Sequence, residues 1–404
     1  MGSTASARSK PERLHYLDHL RAILMLLGIP YHAALAFSIH QDWIVEANRD
    51  SVLLSWIAQY SHTFRMPAFF LIAGFFAMML CRRDAGAWWR SRMIRLGVPL
   101  VAATVLINPL TMLATALWRG GTAQAMDVWL ALLTTPGEHW VSHLWFLTDL
   151  LIYSSILVVL WRLRRLPVLA RGYGKVAALV DSRWWAVPGL VLASGVAALG
   201  MVVALSVPHL NWVLYGMLVL ARTCAYLPVF LWGTALALRP DWLDRFTRIH
   251  RGMWAAGLVL AAVLAAVQWR EEDVFRAMTY FLMPVVGILF GHILMSGMRT
   301  YFNSANTLVQ TVVASSFTVY LVHQVFLVFG ILLLLGRGVP ALLQFVLLVV
   351  SSTLLSVAFH QLLVRHSAPL RLLFNGVLPR RKVALAGAVA TAPVARGGDR
   401  VRRA

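Results

Sequence analysis

Ten apolar stretches recur along the chain, each near the about 20 residues a helix needs to cross a bilayer. They run roughly over 16–38, 53–80, 94–117, 143–161, 184–206, 212–238, 252–269, 277–296, 308–335 and 340–364. Backbone groups in hydrocarbon have no water to bond, so lipid-facing irregular chain and open strands are excluded there. The stretches therefore predict an all-α fold, a polytopic membrane helical bundle of about ten transmembrane helices. Hydrophobic residues make up 60% of the chain and charged residues 13%, which excludes an ordinary soluble domain.

A net charge of +20 would suggest nucleic acid in a soluble protein. Its distribution points elsewhere. With the amino terminus inside, the inside segments hold 28 of the 36 Lys and Arg, the outside loops 5 and the spans 3. This is the positive-inside bias of a membrane protein, so no nucleic-acid partner is expected and both termini are expected in the cytoplasm. The chain then divides into a cytoplasmic tail at 1–14, a membrane domain at 15–366 and a basic tail at 367–404. The last is Ala/Gly/Val/Arg-rich towards its end and is expected to be disordered. Asp18 and Arg21 within the first span, and the lack of a small-residue cleavage site, argue against a signal peptide.

Polar groups inside the spans are the candidates for chemistry. The first span, RLHYLDHLRAILMLLGIPYHAALAF, carries Asp18, Arg21 and His32. A charge at membrane depth costs at least about 2.5–3.5 kcal/mol, so such groups face a protein interior or a wet cavity. Arg21 and His32 stand eleven residues apart, close to three full helical turns. Both project from one face, about 16 Å apart along the axis. A cation at one depth and a titratable base at another suit a site built across a membrane.

In the second span, SHTFRMPAFFLIAGFF puts His62 and Arg65 on one face. Arg65 either takes part in chemistry or pairs structurally with a carbonyl or with Asp149. The next loop, CRRDAGAWWRSRMIRLGVP, sets Arg92 and Arg95 one turn apart, with Arg90 and Arg82–Arg83 nearby. Guanidinium groups fork onto phosphate oxygens, so the cluster suits a phosphorylated cytosolic ligand. The positive-inside bias alone explains it equally well.

The fourth span opens EHWVSHLWFLTDLLIYS, with His139, His143 and Trp145 at its outer end and Asp149 deeper. Trp140 and Trp145 also suit an interfacial belt. Arg222, in the sixth span, suits a substrate anion or a carboxylate partner, Asp18 or Asp149. Ser316, Tyr320 and His323 in SSFTVYLVHQVF share a stripe. A structural, hydrogen-bonded histidine is the plainer alternative for His323. His360, Arg365 and His366 read as snorkelling or lipid-contacting groups. Two cysteines, Cys81 and Cys224, make no framework, and no HExxH, Walker loop, GxSxG elbow or dinucleotide fingerprint occurs. No metal and no permanently bound cofactor is expected.

Together these features resemble the acyltransferase-3 family of integral membrane acyltransferases, in particular its glucan-modifying, periplasmic-glucan-succinyltransferase-like branch. The resemblance rests on YLDHLR at 16–21, Arg21 followed by His32, FRMPAFFLIAGFF at 64–76, Arg92-x-x-Arg95 before LGVP, HLWFL at 143–147 and SFTVYLVHQ at 316–324. It covers most of the chain in the family's order. The chain departs from the pattern at Ala73–Gly74, where many relatives have Ser-Gly, and at Ser367-Ala368-Pro369, where many have Glu-x-Pro.

The resemblance implies transfer of an acetyl- or succinyl-class group from cytosolic acyl-CoA, a co-substrate, to a hydroxyl outside. The acceptor class is a glycan or similar molecule, and the expected location is the bacterial inner membrane. By position His32 matches the family's essential histidine, Arg21 the arginine of the same motif, and Arg92 and Arg95 its cytosolic pair. The expected mechanism has His32 as general base, Asp18 pairing with Arg21, and Arg65 or Tyr320 stabilising the oxyanion. Arg90 joins the donor arginines, and His62, His143, Trp145, Ser316 and His323 are candidate acceptor contacts. A homodimer is compatible with this reading. The competing class is a secondary transporter of an anionic or glycan-related substrate, although no matched broken helices mark two related halves.

Overall fold

The computed structural model describes residues 15–39, 43–47, 49–210, 212–304 and 307–378, with the backbone alone described over 307–311. Among these residues eight helices are long and apolar enough to cross a membrane, and nine if one bent pair counts as a single span. The protein is a polytopic helical bundle. The two expected spans that fall short do so by length. The first, 16–38, is divided at Leu27 into α1 (His15–Leu26) and α2 (Gly28–Leu35). Hydrogen bonds from Leu27 N to Ile23 O (2.9 Å) and from Tyr31 N to Leu27 O (3.3 Å) carry the helical register through the break.

The central element is α3 (Val52–Cys81), begun by Ser51, whose side chain accepts from Leu54 N. Asp84 caps α4 (Ala85–Arg92) in the same way. A π-helical turn at Met93–Gly97 leads into α5 (Val98–Leu106) and α6 (Asn108–Thr134), each opened by a proline in its first turn. The expected third span, 94–117, thus lies across two helices, and α6 breaks again at Gly121. Next come α7 (Trp145–Leu163), α8 (Pro167–Ser182) and α9 (Ala186–Ser206).

The sixth expected span, 212–238, is helical only from its ninth residue, as α10 (Leu220–Leu238). Its start is instead a two-stranded antiparallel hairpin pairing Trp212 with Val219 and Val213 with Leu218. Leu214, Tyr215 and Gly216 all have positive φ in the turn, which no helix accommodates. The chain continues through α11 (Pro240–Phe246), α12 (Arg251–Val267) and α13 (Asp273–Tyr301) to α14 (Thr307–Leu334) and α15 (Ala341–Phe359). The bent pair is α11 and α12, at 73°. A second π-turn, His360–Val364, precedes α16 (Ala368–Asn375). That helix occupies the start of the expected disordered tail; residues 379–404 lie outside the described residues.

Four helices, α4, α8, α11 and α16, lie outside the ten expected spans. In α8, Asp181 accepts from Trp242 Nε1 (3.0 Å), Arg239 (2.8 Å) and Arg245 (2.8 Å), which hold its carboxyl well below the usual carboxylate range. This anchors α8 to α11. At the other end, a Cβ on Gly376 would lie 2.3 Å from the Cα of Arg95, so the end of α16 rests on the first π-turn.

The close approach of α3 to α10 fixes the core. A Cβ on Gly74 would lie 2.0 Å from the Phe230 carbonyl oxygen, and one on Gly233 would lie 1.8 Å from that of Leu71. The two backbones touch because neither glycine has a side chain. Gly233→Ala is therefore expected to cost at least about 1–3 kcal/mol by overpacking. Thermal unfolding of the detergent-solubilised protein measures this, with Gly200→Ala, where a Cβ meets nothing within 4 Å, as the silent control.

Candidate active site

His32 emerges from α2 into a cavity of about 470 Å³. The wall combines Trp43, Thr115, Arg119, Glu138, His143 and Gln324 with Trp145, Arg222 and the 212–219 hairpin. Many of these groups are polar, unlike those of a lipid-filled groove. The imidazole stacks near Trp43 (centroids 6.1 Å, 23°) and lies 5.3 Å from the ring of His323 and 6.2 Å from that of His143. The latter two rings are 5.4 Å apart. Three elements distant in sequence thus deliver one imidazole each. Among the described residues no group of three or more His, Cys, Asp or Glu is arranged to hold a metal ion.

Each imidazole is held by its own scaffold. His143 sits in a 3₁₀ turn, Ser142–Leu144, whose backbone is pinned from two sides. The Tyr320 hydroxyl donates to the His143 carbonyl (2.7 Å), and Gln324 Nε2 donates to Ser142 Oγ (3.0 Å). Asn108 Nδ2 holds the preceding turn through Trp140 O (2.6 Å). In α14, His323 Nδ1 lies 2.8 Å from Tyr320 O and 3.1 Å from Val319 O. Yet His32 Nδ1, both nitrogens of His143 and His323 Nε2 are buried with no hydrogen-bond partner among the described residues. Buried polar atoms are normally satisfied, so a concentration of four marks a place prepared for a ligand.

Arg65 completes this group from α3 and is 6% exposed. Its guanidinium lies 4.4 Å over the Tyr31 ring, and the Tyr31 hydroxyl is 3.1 Å from His62 Nδ1. Ring-face attraction supports a buried cation where no carboxylate does. A Cβ on Gly28 would lie 3.0 Å from Arg65 Nη1, so the absent side chain leaves room for the guanidinium beside α2. Asp149 is not its partner. That carboxylate accepts from Thr223 Oγ1 (2.8 Å) and lies 3.8 Å from Arg222 Nε. Arg222 also lies 3.9 Å over the Trp145 ring, which fixes it in the cavity wall.

The other end of the first span carries a second group. Arg21 and Arg95 are the charges that act on Arg92, so three like charges share this end of the first span. Arg92 Nε is buried without a partner among the described residues. Asp18 is the carboxylate whose charge acts on Arg21. The π-turn at 93–97 shapes this end, a device frequent at functional sites. The cavity lining around His32 includes none of these arginines.

Several expected contacts are redirected. Tyr320 has one hydroxyl proton and gives it to His143 O, so it has none left for an oxyanion. Ser316 bonds the carbonyl of Val313 in its own helix and does not line the cavity. His62 faces Tyr31 and Trp269 rather than the cavity. Arg90 is exposed, as Arg95 is, and is not among the charges that act on Arg92. His360 is not a lipid-facing group: it is 6% exposed, with Nδ1 2.8 Å from Thr318 Oγ1. Conversely, Trp43, Arg119, Glu138 and Gln324 were missed as site residues. Only Gln324 had a signal, as the last residue of SFTVYLVHQ.

A helical membrane bundle with a basic group at one end and a polar, imidazole-lined cavity at the other defines a two-substrate membrane enzyme more readily than a scaffold. The chain matches the family described as "Acyltransferase domain" over residues 14–361, and it belongs to that family of acyl-transferring enzymes. It is similar to "Glucans biosynthesis protein C" of Shigella dysenteriae serotype 1, 29% identical over 321 residues, covering 77% of this chain and 81% of the relative. The protein of that name from Escherichia coli K12 is also 29% identical, over 318 residues, with the same coverage of each chain. No solved structure matches the chain.

Proposed function

We propose that the protein transfers an acyl group from cytosolic acyl-CoA to a hydroxyl of an extracytoplasmic glucan, in the bacterial inner membrane. The observation that carries this reading is His32 in the wall of a polar cavity, on the same helical stripe as Arg21, whose charge acts on Arg92 at the other end. The two lie about 16 Å apart. The names of the similar proteins support glucan as the acceptor class.

The donor's phosphates rest on Arg92, Arg95 and Arg21, and its pantetheine arm follows the stripe Arg21, Met25, Gly28, His32. Met25 is flexible enough to yield, and at Gly28 the arm meets the Arg65 guanidinium that fills the place of the absent side chain. The acceptor enters the cavity against Trp145, Arg222 and His143. His32 Nε2 takes the hydroxyl proton as the oxygen bonds to the thioester carbonyl carbon. Arg65 stabilises the oxyanion, a role for a donor fixed in advance where charge develops. Collapse of the tetrahedral species breaks the C–S bond, and the proton on His32 passes to the departing thiolate. A neutral imidazole is suited to both halves.

The test is reconstitution of the purified protein in proteoliposomes with labelled acyl-CoA on the cytoplasmic side and a glucan on the other. The expected result is an O-acyl glucan, identified by mass spectrometry, with one free CoA thiol per ester. Movement of substrate across the membrane with no ester formed overturns the proposal in favour of a transporter.

A further inference from the structure

A general base needs a fixed tautomer, and although Glu138 lines the same cavity, it is not among the charged groups that act on His32. Those groups are His323, Arg65, His143 and His62. Trp43 and Tyr31 also face the ring. A guanidinium and an indole only donate hydrogen bonds. The Tyr31 hydroxyl is engaged with His62. Of the acceptors left, the rings of His143 and His323 and the unpartnered Gln324 Oε1 of the cavity wall, the two rings lie against His32, and that of His323 is nearer, at 5.3 Å against 6.2 Å.

The chemistry of His323 is settled by its neighbours. Its Nδ1 faces two carbonyl oxygens, at 2.8 and 3.1 Å, and carbonyls only accept. Nδ1 therefore carries the hydrogen, and in the neutral ring Nε2 is a bare acceptor. Ser352 donates to the His323 carbonyl (2.9 Å) and fixes that turn of α14 from α15. The lone pair has a direction as well: a Cβ on Gly28 would lie 3.9 Å from Nε2. Gly28 precedes His32 by one turn and shares its face of α2. Both this Nε2 and His32 Nδ1 are buried and unpartnered among the described residues. One can accept and the other can donate.

We propose that His323 is the positioning residue of the base: its bare Nε2 accepts the Nδ1–H of His32, which leaves His32 Nε2 free to receive the acceptor's proton. The bond closes when substrate is bound, as catalytic hydrogen bonds in free enzymes often do. A second imidazole thus takes the orienting place that a carboxylate fills in a Ser-His-Asp triad. This assignment rests on His32 acting as the base. It moves His323 from the acceptor contacts expected of it to the machinery behind the base.

The test compares His323→Leu, which has no acceptor, with His323→Gln, whose amide oxygen can accept from His32. Both are assayed in proteoliposomes with acyl-CoA and a glucan, and with a thiol-bearing analogue of the acceptor. His323→Leu is expected to lower kcat about 10- to 100-fold with either KM little changed. His323→Gln restores most of it. The deficit of His323→Leu shrinks on the thiol, which ionises without a well-aligned base. Equal losses in the two variants, a rise in acceptor KM in place of the fall in kcat, or equal deficits on alcohol and thiol overturn the proposal. If His323→Leu does not fold, His323→Gln decides alone: near-full kcat supports the dyad, and the residual rate of His32→Ala sinks it. Loss of transfer in His32→Ala together with full activity in His323→Leu removes this inference and spares the function; an active His32→Ala removes both.

Discussion

His32→Ala is expected to abolish acyl transfer while the protein inserts and accumulates as before. The two halves of that statement have separate physical grounds. Removal of a general base forfeits about 10²–10⁴ in rate, and here the same imidazole also returns the proton to the leaving thiolate. Stability has little to lose at this position. The ring is only partly buried, sits at a cavity edge and makes no hydrogen bond among the described residues whose loss would strand a partner. The cost is expected near the middle of the range for single substitutions, about 1 kcal/mol. Ester formation and the melting temperature of the solubilised variant are the two measurements. Full activity in a folded His32→Ala removes the base from the mechanism and leaves the cavity without its reacting group.

The first span shows what a sequence can reveal of such a site. An arginine and a histidine at an eleven-residue spacing, in chain otherwise apolar enough for lipid, leave few places to put either group. Helical periodicity supplied the shared face, and the structure keeps the register through Leu27. The bundle itself was legible because length and apolarity suffice to specify a spanning helix. The apolar 212–219 stretch has the composition of a membrane helix, and only the pairing of Trp212 with Val219 across a positive-φ turn makes it a hairpin. Periodicity cannot register that. Nor can it say whether a polar side chain on a favourable stripe is free. Tyr320 and His323 lie one turn apart on the same stripe, yet the tyrosine's proton goes to a carbonyl from 177 residues away. The histidine keeps a lone pair. Spacing places groups on faces; hydrogen-bond partners decide which of them remain available for chemistry.

The same distinction governs the donor end, where Arg92→Ala combined with Arg95→Ala is expected to raise the KM for acyl-CoA strongly and leave the acceptor's KM unchanged. Two explanations of these arginines were level from sequence alone: orientation of the loop in the membrane, and grip on phosphate. Orientation requires only that the charges be inside and in contact with water or headgroups. It gives no reason to bury one. Arg92 Nε is buried with no partner among the described residues, and Arg21 of α1 acts on Arg92 with like charge. Like charges in poor solvent repel, so holding them at one end of the span needs a compensating anion to be favourable. A charge-assisted hydrogen bond to phosphate contributes about 1.5–3 kcal/mol, or about 10- to 100-fold in affinity per guanidinium. The pair of substitutions therefore separates the explanations by kind of effect. A grip on phosphate predicts a donor KM higher by at least about tenfold. It also predicts partial recovery by lysine, which restores charge without the two-pronged geometry. Orientation predicts fewer correctly inserted molecules, each with ordinary kinetics. Titration of initial rate against acyl-CoA, normalised to folded protein in the membrane, distinguishes them, and an unchanged KM with a reduced amount of protein would return these arginines to a purely topological role.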